Sequence, residues 1–201
     1  MFSPATVANL AAAVDAIAET GDTRPWDGAW LQDFSLTKKP SLVTRHQLHR
    51  RSPLWDEAAN APLMRHAVQE ILETPDVTVR EVTMVVKPPE TGQPFPVHQD
   101  AAYYGHKEAP SVLAVVHLDD TCHENGALRF LPWMHVGGLQ PHSSSRGKPR
   151  MDRQQYPIEN TIEVSAKAGD VVFFSLYTPH ASYPNRSDQP RRTVRIWYQA
   201  V

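Results

Sequence analysis

Apolar positions fall into two regimes along the chain. Up to residue 76 they recur at helical spacing. Val7, Leu10, Ala11, Val14, Ile17 and Ala18 mark one helix face, with Gly21 as its stop. A second helix is predicted from Asn60-Ala61-Pro62, a capping residue followed by proline in the first turn. Leu63, Ala67, Val68, Ile71 and Leu72 form its apolar face, and Thr74-Pro75 ends it. Between the two, residues 22–55 carry Trp26, Trp30, Phe34 and Trp55 among polar residues with neither period, which predicts irregular chain. The basic run Arg45 to Arg51, with two histidines, reads as a solvated loop.

From residue 77 the texture is that of strands. Val77 to Val86 is β-branched and closed by Pro88-Pro89, and Val112 to Leu118 is a continuous apolar run ended by Asp119-Asp120. Ala127 to Leu131, Thr161 to Val164, Asp170 to Tyr177 and Thr193 to Tyr198 are further short strands. Residues 137–160 are rich in Gly, Ser, Pro and charge, and read as a long mobile excursion; the wider segment 133–160 is expected to act as a substrate lid. Helices first, then many short strands with no helix between them, predict a mainly β sandwich or barrel with N-terminal helices packed outside. The whole chain, 1–201, is expected to form one domain, residues 1–76 supporting a core of residues 77–201.

Composition narrows the classes. The 18 prolines against 9 glycines agree with strands and loops, and 41% hydrophobic residues suffice for a core. Lys and Arg number 20 against 22 Asp and Glu, so no basic excess points to nucleic acid. No apolar stretch approaches the ~18 residues of a membrane span, and the Ala-rich start lacks the early basic residues of a signal peptide. A single cysteine, Cys122, excludes an internal disulfide framework and points to a reducing, cytoplasmic setting. Cys122 beside His123 is a poor catalytic pair, because adjacent residues rarely address one reacting atom.

Two distant segments carry the candidate chemistry. In an extended strand residues i and i+2 share a face, so His98 and Asp100 can bind one metal ion. A His-x-Asp triplet alone recurs by chance. Downstream, Gly169-Asp170 turns into an apolar strand that ends at Tyr177-Thr178-Pro179-His180. Two histidines and a carboxylate on one face would form the facial triad of non-haem Fe(II) oxygenases. After a turn-rich stretch, Arg191-Arg192 open the last strand. If that strand forms a hairpin with the one ending at His180, an arginine fork sits beside the metal, suited to a carboxylate. Strand alternation lets only one of the pair enter the barrel. His106, His117 and His123 read as surface or pocket-wall residues, Trp197 and Tyr198 as core and rim. Of Tyr103 and Tyr104, one is expected to face substrate, with Tyr104 the candidate.

At this point the sequence resembles a known family. Val85-Val86-Lys87-Pro88-Pro89 through His98-Gln99-Asp100-Ala101-Ala102-Tyr103-Tyr104, then Leu118-Asp119-Asp120, Glu124-Asn125-Gly126-Ala127-Leu128, Gly169-Asp170-Val171-Val172-Phe173-Phe174 and His180-Ala181-Ser182 with Asn185-Arg186-Ser187 and Arg191-Arg192 are similar to the phytanoyl-CoA dioxygenase family. The motifs occur in order over residues 80–198. The resemblance implies a double-stranded β-helix, or jelly roll, binding Fe(II), with 2-oxoglutarate as cosubstrate and O2 as oxidant. It implies His98, Asp100 and His180 as iron ligands, Arg191 as the grip on the distal carboxylate of 2-oxoglutarate, and Ser182 assisting it. It places Gln99 and Thr83 on the cosubstrate pocket and His142 on the substrate side.

There are departures. Pro132-Trp133-Met134-His135 stands where the family often reads Pro-Gly-Ser-His, which makes Trp133 a candidate specificity wall. Val115 replaces a frequent tryptophan. The N-terminal region is short and is expected to lack a leading strand. The function implied is hydroxylation of a small-molecule substrate with release of succinate and CO2. Asp100 supplies the carboxylate that related halogenases lack. Two alternatives stand beside it: an inactive jelly roll that keeps a metal or ligand, and a cupin-type isomerase or hydrolase that would not need Arg191.

Overall fold

The computed structural model describes residues 2–19, 30–32, 41–90, 92–104, 109–145 and 148–201. The predicted stop at Gly21, together with Trp26, Phe34 and His106, lies outside the described residues. Helix α1 (Pro4–Glu19) starts where Ser3 Oγ accepts the Thr6 amide, with proline in the first turn, and buries Val7, Leu10, Ala11 and Val14. Strands β1 (Trp30–Gln32) and β2 (Ser41–Arg45) follow. Helix α2 (Pro53–Ala59) is capped by Ser52, and α3 (Pro62–Leu72) comes next. Strands β3 (Val77–Lys87) and β4 (Phe95–His98) lead to a one-turn helix, α4 (Ala101–Tyr104). Then come β5 (Ser111–His117), β6 (Leu128–Phe130), β7 (Ser143–Ser145), β8 (Lys148–Arg150), β9 (Ile162–Val164), β10 (Val171–Ser175), β11 (His180–Ser182) and β12 (Arg191–Ala200).

Two sheets form the core. The larger has the order β1-β2-β3-β12-β5-β10, and the smaller β4-β11-β6-β9. Alternation along the large sheet sorts its side chains. Val82, Met84 and Val86 of β3, Val112, Ala114 and Val116 of β5, and Val194 and Ile196 of β12 pack against the helices, where Leu10, Val14, Trp55, Met64 and Val68 complete the cluster. Leu113, Val115 and Trp197 point the other way, toward Phe130 and Phe174. The continuous apolar run of β5 is therefore a strand buried on both faces.

Several expectations need correction. Residues 22–55 are not wholly irregular: β2 extends the large sheet beside β3, and α2 contributes Trp55 to the core. Two strands therefore precede β3. Asn60 does not open α3. It closes α2, donating to the Asp56 carbonyl at 3.0 Å, while Ala61 occupies the α3 cap position with no side-chain bond. β11 and β12 are not a hairpin: β11 pairs with β4 and β6, and β12 with β3 and β5, so their link crosses between sheets. Asn185 organises that link by donating to the carbonyls of Lys87 (3.0 Å) and Gln189 (2.8 Å). The excursion after Trp133 contains the β7–β8 hairpin and then lies on the outer face of the small sheet. There Met151 packs with Val97 and Ala181, and Tyr156 and Ile158 add to the cluster. No helix among the described residues is long and apolar enough to cross a membrane.

Candidate metal centre

β4 and β11 are antiparallel neighbours, with His180 directly opposite His98. This pairing places two ligands on adjacent strands and brings in Asp100 from the turn that follows β4. His98, Asp100 and His180 are all buried, and one ligand atom from each lies within 4.8 Å of the others. His98 Nε2 is 3.8 Å from Asp100 Oδ1, and His180 Nε2 is 3.9 Å from Oδ2. Each ring donates its other nitrogen backwards. His98 Nδ1 bonds the Pro96 carbonyl at 2.7 Å and His180 Nδ1 the Thr178 carbonyl at 3.0 Å. That leaves both Nε2 lone pairs aimed at one point, the tautomer a metal ligand needs.

The electrostatics keep this donor set in its metal-binding protonation state. Burial and the neighbouring His180 push the His98 pKa down to about 3, and burial lowers His180 too. Burial alone would raise the pKa of Asp100, but Arg195 and the two histidines hold it below the usual carboxylate range. Neutral imidazoles and an ionised carboxylate, all nitrogen and oxygen donors, fit a divalent first-row metal such as Fe(II).

The centre borders a narrow cavity of about 70 Å³ lined by Val85, Phe95, His98, Val115, Phe174, His180, Ser182, Arg191, Thr193 and Arg195. Ligand pockets usually measure roughly 300–1,000 Å³, so an occupant has to turn wall side chains aside. Arg191 and Arg192 diverge as strand alternation requires. Arg191 faces the cavity and is buried. Arg192 faces outward and binds Asp119 (2.6 and 3.0 Å) and Asp15 (2.6 Å). Among the described residues Arg191 makes one weak bond, Nη1 to Thr193 Oγ1 at 3.3 Å, while its buried Nε has no hydrogen-bond partner there. Burial pulls its pKa down to about 10. His117, opposite Thr193 on β5, is fully buried with an unpartnered Nε2, and burial pushes its pKa down to about 4. A buried guanidinium with an orphaned donor is the cradle a carboxylate of 2-oxoglutarate would complete.

The other expected site residues scatter. Ser182 lines the cavity. Gln99 does not. Its amide donates to the carbonyls of Tyr177 (2.5 Å) and Gly138 (2.9 Å) and its oxygen accepts from the Gln140 amide, so it ties the distant loop at residues 138–140 to the turn before β11. Thr83 is one place further along, bonded to His46 and Glu81, both at 3.2 Å. His142 lies behind the centre, accepting the Gln99 amide at 3.0 Å. Trp133 is 80% exposed and lines a different cleft, with Phe130, Val164 and Phe173, so it does not wall the metal cavity. Tyr104 stacks on Trp197 at 4.6 Å and its hydroxyl accepts from Arg195 at 2.7 Å. Tyr103 sets its ring edge-on to His98 at 5.7 Å.

Sequence reasoning missed Arg195 and undervalued His117. The available signal for Arg195 was its position on the last strand, four residues after Arg191 and so on the same face. For His117 it was a histidine ending a doubly buried run.

Comparison with known proteins follows the same lines. The family model described as Phytanoyl-CoA dioxygenase (PhyH) matches residues 1–193. A methylphosphonate hydroxylase from Gimesia maris is 35% identical over 106 residues, covering 49% of this chain and 40% of that protein. The peroxisomal phytanoyl-CoA dioxygenase of Bos taurus is 28% identical over 193 residues, covering 86% of this chain and 56% of that protein. The chain thus spans about half the length of these curated relatives. Among solved structures, EvdO2 from Micromonospora carbonacea var. aurantiaca complexed with 2-oxoglutarate superposes with a TM-score of 0.79 at 21% identity. It covers 99% of this chain and 83% of that one, and shares the fold.

Proposed function

The chain belongs to the phytanoyl-CoA dioxygenase family, and from that premise we propose that it is an Fe(II)- and 2-oxoglutarate-dependent dioxygenase acting on a small-molecule substrate. Residues 77–201 supply the site and residues 1–76 support it. His98, Asp100 and His180 would hold the iron. When bound, iron with 2-oxoglutarate supplies activation of O2 coupled to decarboxylation, giving succinate, CO2 and an oxidised, by default hydroxylated, substrate.

The residues of the chain bind, orient and exclude water. The two Nδ1–carbonyl bonds fix the imidazole planes before a metal arrives. Arg191 grips the distal carboxylate of 2-oxoglutarate, with Ser182 on the same cavity wall. Phe95, Val115 and Phe174 keep the cavity apolar around these few polar groups, which strengthens each charged contact.

The observation that carries this reading is the buried, counterion-poor Arg191 sharing one narrow cavity with a preformed histidine–aspartate–histidine cluster. An inactive metal-binding jelly roll needs no such cation. The test is succinate formation from 2-oxoglutarate with Fe(II) and O2, alone and with a panel of candidate substrates. Turnover that stops in Arg191→Ala and in His98→Ala supports the reading. No turnover in the native chain, or turnover indifferent to Arg191, overturns it.

A further inference from the structure

Among the described residues the two core sheets do not close on each other. β10 ends the large sheet and β9 ends the small one, each paired on one side only. Between these two edges the core that lies between the sheets is open. Phe130 and Phe174 are buried in it, whereas Val164 and Val172, packed against them, are only partly covered. The opening is a cleft of about 410 Å³, within the roughly 300–1,000 Å³ of small-molecule pockets. Ile162 stands directly opposite Phe130 on the β6–β9 ladder, hence on the same face, and is exposed.

Trp133 lines this cleft from a strained backbone. Its φ is 67°, in the left-handed region that a bulky side chain rarely takes, and yet its indole is 80% exposed. A side chain this exposed gains little from burial, so packing within the chain does not offset the strain. With Phe130, Phe173 and Phe174 it makes four aromatic rings around one opening, whose other polar side chains are His135, Ser175 and Thr178.

Two groups join the cleft to the metal centre. Phe174 lines both the cleft and the metal cavity, meets Phe130 edge-on at 5.0 Å and lies 4.9 Å from the His180 ring. Thr178, also on the cleft wall, provides the carbonyl that orients His180. In the reading above 2-oxoglutarate occupies the metal cavity, which measures only about 70 Å³, so a substrate has to lie beside it. The cleft offers that space one ring away from a metal ligand. A larger cleft beyond Phe95 is lined by Arg150, Asp152, Arg153 and Glu159, charges of both signs, and has no such cluster of rings.

We propose that the cleft between β9 and β10 receives an aromatic ring of the substrate, in contact with Trp133 and the Phe130–Phe174 pair, so that the site selects molecules bearing such a ring over aliphatic ones of equal size. Aromatic rings gain from edge-to-face and offset contacts beyond the area they bury. This inference rests on the dioxygenase reading and names the substrate class for it.

The experiment uses the full chain in two forms. With 5-fluorotryptophan incorporated and Zn(II) bound, fluorine NMR follows the Trp133 resonance, identified by its loss in Trp133→Gly. With Co(II) bound, the visible bands report on the metal centre. Each form is titrated with 2-naphthol, phenol or cyclohexanol. 2-Naphthol should move the Trp133 resonance saturably and shift the Co(II) bands with the same dissociation constant. Phenol should bind at least about fivefold more weakly, having less apolar surface to bury. Cyclohexanol should bind at least about twofold more weakly than phenol, because it lacks an aromatic face. Val164→Glu, which puts a charge in the cleft, should weaken 2-naphthol at least about tenfold while Co(II) still binds. Trp133→Gly relieves the backbone and leaves the core alone. By the Co(II) bands it should weaken 2-naphthol at least about threefold, and it serves if Val164→Glu folds poorly. No saturable shift, cyclohexanol binding as tightly as phenol, binding unchanged in both variants, or Co(II) bands that ignore bound 2-naphthol overturns the inference. So does a Trp133 resonance that moves with protein concentration alone, as covering of the cleft by a second copy would cause. Binding as expected with no succinate formed from 2-oxoglutarate overturns the dioxygenase reading instead.

Discussion

The imidazole rings of His98 and His180 lie 4.3 Å apart, centroid to centroid, and each donates Nδ1 to the carbonyl two residues before it in the chain. The two ligands are thus built the same way, from antiparallel strands in direct register. Each is oriented by its own strand and not by the other histidine. Asp100 completes the set through the turn after β4. Replacing any one of the three by alanine is expected to weaken metal binding at least about tenfold. Titration calorimetry with Mn(II) or Ni(II), which avoids oxidation, measures it. Tight stoichiometric metal in His98→Ala/His180→Ala would show that the ion sits elsewhere.

The divergence of Arg191 and Arg192 gives a second test. Arg191 loses most of its solvent and, among the described residues, makes no ion pair with a carboxylate, whereas Arg192 pairs with two, Asp119 and Asp15. Removing Arg191 should raise the dissociation constant of 2-oxoglutarate by about two decades, the worth of a bidentate charged contact. Removing Arg192 should leave that constant within about threefold and lower stability by about 1 kcal/mol, because its ion pairs are partly solvated. Binding measured by calorimetry and stability by urea titration separate the two. If Arg192→Ala shows the large loss in affinity, the assignment of the inward arginine is off by one residue.

Much of this arrangement was legible in the residues, and the parts that were not have physical causes. The strands of the core were visible because β-branched and apolar residues run to clear stops at Pro88, Asp119 and Pro132. His98 and Asp100 share a site because their spacing permits it. Arg191 and Arg192 part company because strands alternate. What periodicity could not reveal was sheet membership. β11 is three residues long, and nothing local says that it pairs with β4 and β6 and not with β12. The Gly- and Ser-rich excursion looked like a lid because its own composition is polar. Its few apolar residues, Met151, Tyr156 and Ile158, are too far apart to show a period, yet they cover the back of the small sheet. Gln99 looked like a pocket residue from its place between two ligands. Gln99 lies past the end of β4, and its amide is spent on the Tyr177 and Gly138 carbonyls and the Gln140 amide, away from the cavity.

Met151 tests the structural side of that excursion. It is 3% exposed and packs on Val97 and Ala181, the residues beside His98 and His180, from behind the sheet. Truncating it leaves a cavity directly under both histidine-bearing strands. Met151→Ala should cost about 2–5 kcal/mol of stability and should also weaken metal binding. Trp133→Ala, at a side chain 80% exposed, should change stability by no more than about 0.5 kcal/mol. Thermal unfolding of the two variants with and without Mn(II) makes the comparison. Equal, small effects would mean that residues 151–158 lie loosely on the sheet and do not support the site.

The last prediction concerns acid. His117 is buried on β5, close enough to feel the Arg191 charge, and burial first and that charge second bring its pKa down to about 4 from the ordinary 6.5. A histidine that is harder to protonate when folded binds fewer protons in the native state than in the unfolded one between these two values. Unfolding therefore takes up a proton across that window, and stability falls as the pH drops from about 6.5 toward 4. Integrated from pH 7 to pH 5, this one residue should account for about 2 kcal/mol of lost stability. His98, His180 and His49 shift in the same direction, so the native chain as a whole should show a steeper loss than this. His117→Gln removes one titration and leaves the others. Urea unfolding at pH 7 and pH 5, with chelator present so that metal binding does not add its own proton linkage, should show a fall about 2 kcal/mol smaller in His117→Gln than in the native chain. Parallel losses in the two proteins would mean that His117 titrates normally. The interior near Arg191 would then be wetter than its burial implies, and the case for a dry anion cradle there would weaken with it.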